Sequence, residues 1–152
     1  MKSASIRSLF LVALLSIFAT GCGSKQGPPT PDQATFTKLN EFGELYRVYS
    51  LTYKKPPKTK ADAAKVENAV PSGLTSINNG DIIGFWGAEL PDLGEEPGSA
   101  TSDKILAYEK DVPTKGGNVL TLDRRVKKMT AEEFASAPKA GATEPEKAPA
   151  KK

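Results

Sequence analysis

Ser136 and Lys139 have the S-x-x-K spacing, which in some serine hydrolases brings a nucleophilic hydroxyl next to a basic amine. That chemistry requires a rigid helix, and Pro138 between the two residues interrupts one. The 152-residue chain also contains no histidine, which excludes an imidazole base, a Ser/His/Asp triad and an ordinary zinc site. The sequence therefore predicts a protein that is not an enzyme.

Four carboxylates in one loop are the candidates for binding a cation. They are Glu89, Asp92, Glu95 and Glu96, and carboxylate oxygens are the hard ligands that calcium prefers. Their spacing matches no dedicated calcium motif such as the EF-hand. We expect a solvated loop, with calcium binding as the alternative, and we predict no other metal and no cofactor.

Basic and aromatic residues suggest two further sites. A small basic tip of a hairpin could contact anionic lipid or cell-wall polymer, although lysines at such a place more often protect a sheet edge. This tip comprises Arg124, Arg125, Lys127 and Lys128. Several aromatic residues could line a ligand pocket, but we expect them in the core: Trp86, Tyr46, Tyr49, Tyr53 and Tyr108.

The charge balance argues against nucleic acid as a partner. The chain has 21 basic and 18 acidic residues, and two of the basic ones, Lys2 and Arg7, stand upstream of the only cysteine, Cys22. The remaining chain is nearly neutral, whereas a nucleic-acid-binding surface needs a clustered excess of positive charge.

Cys22 follows a segment with the layout of a signal peptide. Residues 1–8 carry basic side chains and no acid, and residues 9–19 are apolar apart from one serine. This apolar run is shorter than the roughly 20 residues that a membrane-spanning helix needs. An ordinary secretory signal, cut near Gly21, and an uncleaved anchor are two interpretations of the segment.

The stretch Ala19-Thr20-Gly21-Cys22 resembles the lipobox of bacterial lipoproteins. In that family the cysteine thiol receives a diacylglycerol, and the signal peptide is removed before the cysteine. Leucine is most common where Ala19 stands here. The resemblance implies lipidation at Cys22 and stable attachment to a membrane, because two or three acyl chains suffice for anchoring. It also implies a place in the cell envelope, facing the periplasm or exterior, at either the inner or the outer membrane.

A strong helix signal begins at Thr30. Thr30 and Gln33 have the spacing of a capping box, with Pro31 at the first helical position. Apolar residues then recur every three or four positions from Phe36 to Tyr53. They predict one apolar stripe on a helix of roughly six turns that ends at the Lys/Pro cluster of residues 54–57. A second short helix, capped by Thr59, should end before Pro71.

Strand signals follow the two helices. Branched and aromatic residues between turn signals predict strands over residues 81–86, 104–110, 118–122 and 126–129. A second capping box, Thr130 to Glu133, predicts a short helix that buries Phe134. The expected fold class is α+β, with a long N-terminal helix packed on a three- or four-stranded antiparallel meander.

These signals divide the chain into four segments. We expect a lipoprotein signal peptide over residues 1–21, a lipidated cysteine and flexible tether over 22–30, and an α+β head over 31–137. Residues 138–152 are composed of Ala, Pro, Lys, Glu, Gly and Thr only, so we expect a disordered tail.

The head contains four motifs in succession: Pro56-Pro57, Gly80-Asp81 to Trp86-Gly87, Leu106 to Lys110, and the hairpin of residues 116–134. Together they resemble pseudopilin- and prepilin-like heads, and more closely small lipoproteins that keep such a head without the pilin-type helix. Asp123-Arg124 stands where that pattern has Asp-Gly, a turn that needs a positive φ. The resemblance implies a non-catalytic interaction head with an envelope protein as partner. A ligand- or calcium-binding envelope module is the alternative.

Overall fold

The computed structural model describes residues 30–98 and 100–141, so Cys22 and the segments 1–29 and 142–152 lie outside the described residues. The helices are α1 (Pro31–Tyr53), α2 (Lys60–Ala63), α3 (Pro71–Asn78), α4 (Val112–Lys115) and α5 (Ala131–Ser136), with a 3-10 turn at Ala64–Val66. The strands are β1 (Ile82–Gly84), β2 (Ile105–Glu109), β3 (Gly117–Thr121) and β4 (Val126–Met129). Within the described residues, no helix combines the length and the apolar composition needed to span a bilayer.

Helix α1 begins and ends as the sequence predicts. The Thr30 hydroxyl accepts a hydrogen bond from the backbone N–H of Gln33, and the Gln33 side chain accepts one from the N–H of Thr30. The helix ends at Lys54, which adopts a left-handed φ of 54° just before Pro56 and Pro57. This reversal stops the helix without a glycine, and the prolines prevent its continuation.

The four strands form one antiparallel meander in the order β1-β2-β3-β4. The register pairs Ile83 with Tyr108, Tyr108 with Val119, and Val119 with Lys127. The predicted α+β class and the antiparallel meander are therefore confirmed, with four strands, none of which differs from its expected length by more than three residues.

Both faces of the sheet are covered by helices. Because successive side chains of a strand point to opposite faces, Leu120 packs toward α1 while Val119 packs toward α5. The cluster under α1 includes Leu39, Phe42, Tyr46, Leu74, Ile82, Trp86 and Leu106. The cluster on the other face is Phe85, Ile105, Tyr108, Val112, Val119 and Phe134. The predicted burial of Phe134 is confirmed, and its ring lies 4.6 Å from that of Tyr108.

Helix α3 is an element that the sequence did not predict. Pro71 stands at its first position, where a proline starts a helix as readily as it stops the preceding one. A Cβ atom on Gly73 would lie 2.6 Å from the carbonyl oxygen of Glu41, so the backbone of α3 approaches that of α1 closely. This contact requires glycine and explains a residue that otherwise disfavours helix.

The packed chain continues beyond the expected head boundary at Ala137. The N–H of Ile105 donates to the carbonyl of Pro138 at 2.8 Å, and the N–H of Ala140 donates to the carbonyl of Ile105 at 2.7 Å. Ala140 is fully buried. Residues 138–141 therefore belong to the head, because they extend the sheet beside the first residue of β2.

Candidate functional site

The Ser136 and Lys139 side chains cap the end of α5. The Ser136 hydroxyl donates to the carbonyls of Glu132 and Glu133, at 3.2 and 3.0 Å. The Lys139 ammonium donates to the carbonyls of Phe134 and Ala137 and lies 4.0 Å from the centre of the Phe134 ring. Burial lowers the pKa of Lys139. Both groups are thus engaged by main-chain carbonyls, an arrangement that stabilises a helix end rather than activating a nucleophile.

The four loop carboxylates serve different local roles. The carboxylate of Asp92 accepts the backbone N–H of Gly94 at 2.8 Å, and this hydrogen bond lowers the pKa of Asp92. Glu89 lines a separate pocket with Lys54 and Lys55, while Glu95 and Glu96 face α1. In the described part of the chain, no group of three histidine, cysteine, aspartate or glutamate residues is placed to hold a metal ion.

Arg124 fixes this loop from beneath. Its Nη2 donates to the carbonyl of Gly94 at 2.6 Å and to that of Glu96 at 3.2 Å, and its Nη1 donates to the carbonyl of Glu95 at 3.3 Å. Arg124 is only 7% exposed and has a φ of 60°. Arginine in place of glycine argued against a turn with a positive φ after Asp123, yet Arg124 adopts that φ, and its guanidinium bonds offset the backbone cost.

The other residues of the basic tip are also engaged. Arg125 donates to the carbonyl of Gly98 at 2.6 Å and to the carboxylate of Asp123 at 2.9 Å. Lys127 pairs with Asp103 at 2.9 Å, and Lys128 pairs with Asp32 at 3.2 Å. The two arginines thus organise the loop, and the two lysines lie on the edge strand β4.

An open groove of about 650 Å³ lies between α1, the loop and β4. We call it the Phe36 groove. Its apolar walls are Phe36, Val70, Pro97 and Val126; its carboxylates are Glu41, Glu44, Glu95 and Glu96; and Asn40, Gly43, Arg124 and Arg125 complete the lining.

Phe36 is the residue of this groove that sequence reasoning placed wrongly. It belongs to the apolar stripe of α1, which indicates core, yet its side chain is 50% exposed. Burial along α1 is incomplete before Leu39, and Phe36 lies in this first part of the helix. Its place near the start of the stripe, within the first two turns of α1, was the signal available in the sequence.

The groove carries a negative charge. Four carboxylates stand against two guanidinium groups in its lining, a net charge of −2. Glu44 pairs with Arg47, and this hydrogen bond lowers the pKa of Glu44. Among the ion pairs of the described residues, none engages Glu41, Glu95 or Glu96. Glu95 and Glu96 are exposed and Glu41 is half-buried, while Arg47 attracts Glu95 and Arg124 attracts Glu96 over a longer distance.

The remaining aromatic candidates are structural. The prediction that they are core residues is confirmed for Tyr46, Tyr49, Trp86 and Tyr108, and it is wrong for Tyr53, which is 41% exposed. The Tyr46 hydroxyl donates to the carbonyl of Ala88 and accepts the N–H of the same residue, both at 2.8 Å. Tyr46 therefore ties the start of the acidic loop to α1.

The two candidate regions differ in how their side chains are used. The residues with the spacing for nucleophilic chemistry cap a helix, whereas the Phe36 groove offers an exposed aromatic surface beside Glu41, Glu95 and Glu96. No family model, curated protein or solved structure matches this chain.

Proposed function

We propose that this chain is a lipid-anchored protein of the cell envelope whose head binds another envelope protein without catalysing a reaction. The observation that carries the proposal is the Ala19-Thr20-Gly21-Cys22 stretch behind a short apolar run and a basic N-terminus. A thiol there would be consumed as the attachment point of a diacylglycerol. The head would then face the periplasm or the exterior.

The start of the head supports this arrangement. The N-cap residue of α1, Thr30, comes eight residues after Cys22. At about 3.4 Å per extended residue, such a tether reaches at most about 27 Å. The head would therefore work close to the membrane surface.

The non-catalytic part of the proposal is supported by how the candidate groups are used. Ser136 and Lys139 cap α5, and Arg124 and Arg125 hold the acidic loop. A long helix followed by antiparallel hairpins is also the order of elements in pseudopilin heads. We include that likeness in the proposal as the architecture of the interaction head.

The test replaces the thiol in the full chain. We compare wild type with Cys22→Ser and with a neighbouring control, Ser24→Ala, in a bacterial host. Labelled palmitate and the intact mass are the readouts, since an uncleaved apolar run could hold even an unlipidated chain in the membrane. We expect label and loss of residues 1–21 in wild type and control, and an unlabelled precursor for Cys22→Ser. Unlabelled wild type, or the same mass change in all three chains, would refute the lipid anchor.

A further inference from the structure

We propose that the Phe36 groove is the docking site for a cationic peptide segment of a partner protein that carries an apolar anchor. This inference rests on the proposed interaction role of the head and names the chemistry of its partner. It depends on the shape, the exposed aromatic surface and the charge of one groove.

The apolar part of the groove includes an aromatic side chain that is exposed to solvent. Phe36 and Tyr53 are the large hydrophobic side chains that the described residues expose, and only Phe36 lies in a groove with other apolar walls. Covering an aromatic ring of this kind is a main source of binding energy at protein interfaces. An apolar side chain of the partner would fit between Phe36 and Val126.

The carboxylates select the charge of the partner. Glu41 lies five residues beyond Phe36 on α1, and Glu95 and Glu96 line the same groove from the loop. A lysine- or arginine-containing segment would neutralise these groups. An anionic membrane surface or an acidic peptide would be repelled by them.

The groove is already held in shape. The guanidinium of Arg124 binds three successive carbonyls beneath Glu95 and Glu96, and its neighbour Arg125 binds the carbonyl of Gly98. Because the loop is fixed from inside, a partner would not have to order it on binding. A preformed acidic wall opposite an exposed ring is a docking surface for a short segment.

The position of the groove suits a partner near the membrane. Phe36 comes six residues after Thr30, which corresponds to a rise of about 9 Å along the helix axis. The groove therefore opens at the tethered end of the head.

The experiment measures peptide binding to the full chain in zwitterionic lipid nanodiscs by surface plasmon resonance. Empty discs provide the background. The probes are a short peptide of alternating lysine and leucine and its counterpart with glutamate for lysine. We expect saturable binding of the lysine peptide only, weakened by added salt because screening reduces the charge contribution.

Two groove variants and two controls locate the binding. Phe36→Ala and the triple variant Glu41→Gln, Glu95→Gln, Glu96→Gln should each weaken binding by about tenfold. Tyr53→Ala removes the other exposed aromatic, and Glu132→Gln removes an exposed charge on α5; both should bind within about twofold of wild type. Melting temperatures of all variants show whether the fold is kept, and of the altered side chains only that of Glu41 is half-buried while the others are exposed.

The outcomes separate this proposal from the lipid anchor. Equal binding of both peptides, no measurable binding of the lysine peptide, or equal loss in groove and control variants would overturn the docking site. None of these results bears on palmitate labelling at Cys22. Conversely, an unlabelled Cys22 with groove-dependent binding would refute the anchor and leave the docking site standing.

Discussion

Arg124 donates a hydrogen bond of 2.6 Å to the carbonyl oxygen of Gly94, which lies 30 positions earlier in the chain. The contact joins the β3–β4 hairpin to the acidic loop, and two further bonds from the same guanidinium reach Glu95 and Glu96. One buried side chain thus sets the path of a loop that has no regular secondary structure. The Phe36 groove exists because of this contact, since the loop forms one of its walls.

Arg124→Ala should lower the free energy of unfolding by about 2 kcal/mol, because bonds from a charged group are lost while a positive φ is kept. Arg124→Gly should be the milder change by about 1 kcal/mol, since glycine adopts this φ without strain. Urea denaturation measures both, and Lys128→Ala is the exposed control on the same hairpin. If alanine and glycine cost the same, backbone strain at this turn contributes nothing.

Gly73→Ala should destabilise the protein by about 2 kcal/mol or more, although alanine is the better helix former by about 1 kcal/mol. The added Cβ would meet the backbone of α1 at the carbonyl of Glu41, and backbone atoms cannot yield as a side-chain end can. Thermal unfolding tests this against Ser72→Ala, an exposed neighbour on α3 that should stay within about 0.5 kcal/mol of wild type. A stabilised Gly73→Ala variant would contradict the close approach of the two helices.

The Asp123 carboxylate should make stability depend on acid pH. Burial alone raises the pKa of Asp123, but hydrogen bonds from Thr121, the backbone of Ser102 and Arg125 outweigh it, so the pKa lies below its ordinary value. Because the folded chain holds this proton less tightly than the unfolded chain, the stabilisation is present above the ordinary pKa of 3.8 and is lost as the pH falls through the lowered pKa.

The stability difference between wild type and Asp123→Asn should follow the same dependence. It should be about 2 kcal/mol near neutral pH and should shrink as the pH falls below about 4, because the unfolded chain takes up the proton there while the folded carboxylate does so only at a lower pH. Urea unfolding at a series of pH values gives this difference. A stability difference that is independent of pH would show that the ionised form of Asp123 does not stabilise the fold.

Truncation after Ala137 should cost about 2–4 kcal/mol, because it removes two main-chain hydrogen bonds with Ile105, the buried Ala140 and the Lys139 cap on α5. A chain that stops after Gly141 is the matched control and should unfold at the temperature of the full chain. Differential scanning calorimetry compares the three. Equal melting temperatures for the two truncations would place the head boundary back at Ala137.

Calcium should leave the melting temperature unchanged within about 1 °C, as should its removal with EDTA. Main-chain carbonyls of an acidic loop are common calcium ligands, but here those of Gly94, Glu95 and Glu96 are occupied by Arg124. Thermal melts of the full chain in millimolar calcium and in EDTA test this. A rise in the melting temperature on addition of calcium would contradict this prediction and support a metal site at the loop carboxylates.

Local signals were sufficient for the elements whose stabilisation is local. The capping boxes at Thr30 and Thr130 start α1 and α5 because their hydrogen bonds join residues three positions apart. Strand alternation and turn residues likewise predicted the order of the meander, and the tertiary packing agreed with them. Helix α3 was missed because Pro71 and Gly73 weaken helix signals, and its stability depends on contact with α1.

The sequence by itself determined the α+β class, the long capped helix, the absence of imidazole chemistry and the lone cysteine on which the proposed anchor rests. Only the tertiary structure decided that Arg124 lies inside the protein, that residues 138–141 belong to the head and that Phe36 lies in an acidic groove. The physical reason is the separation along the chain between the residues that interact. Caps and periodicity act within a few residues, whereas a groove arises where segments distant in the chain meet, and no local pattern encodes which side chains face each other there.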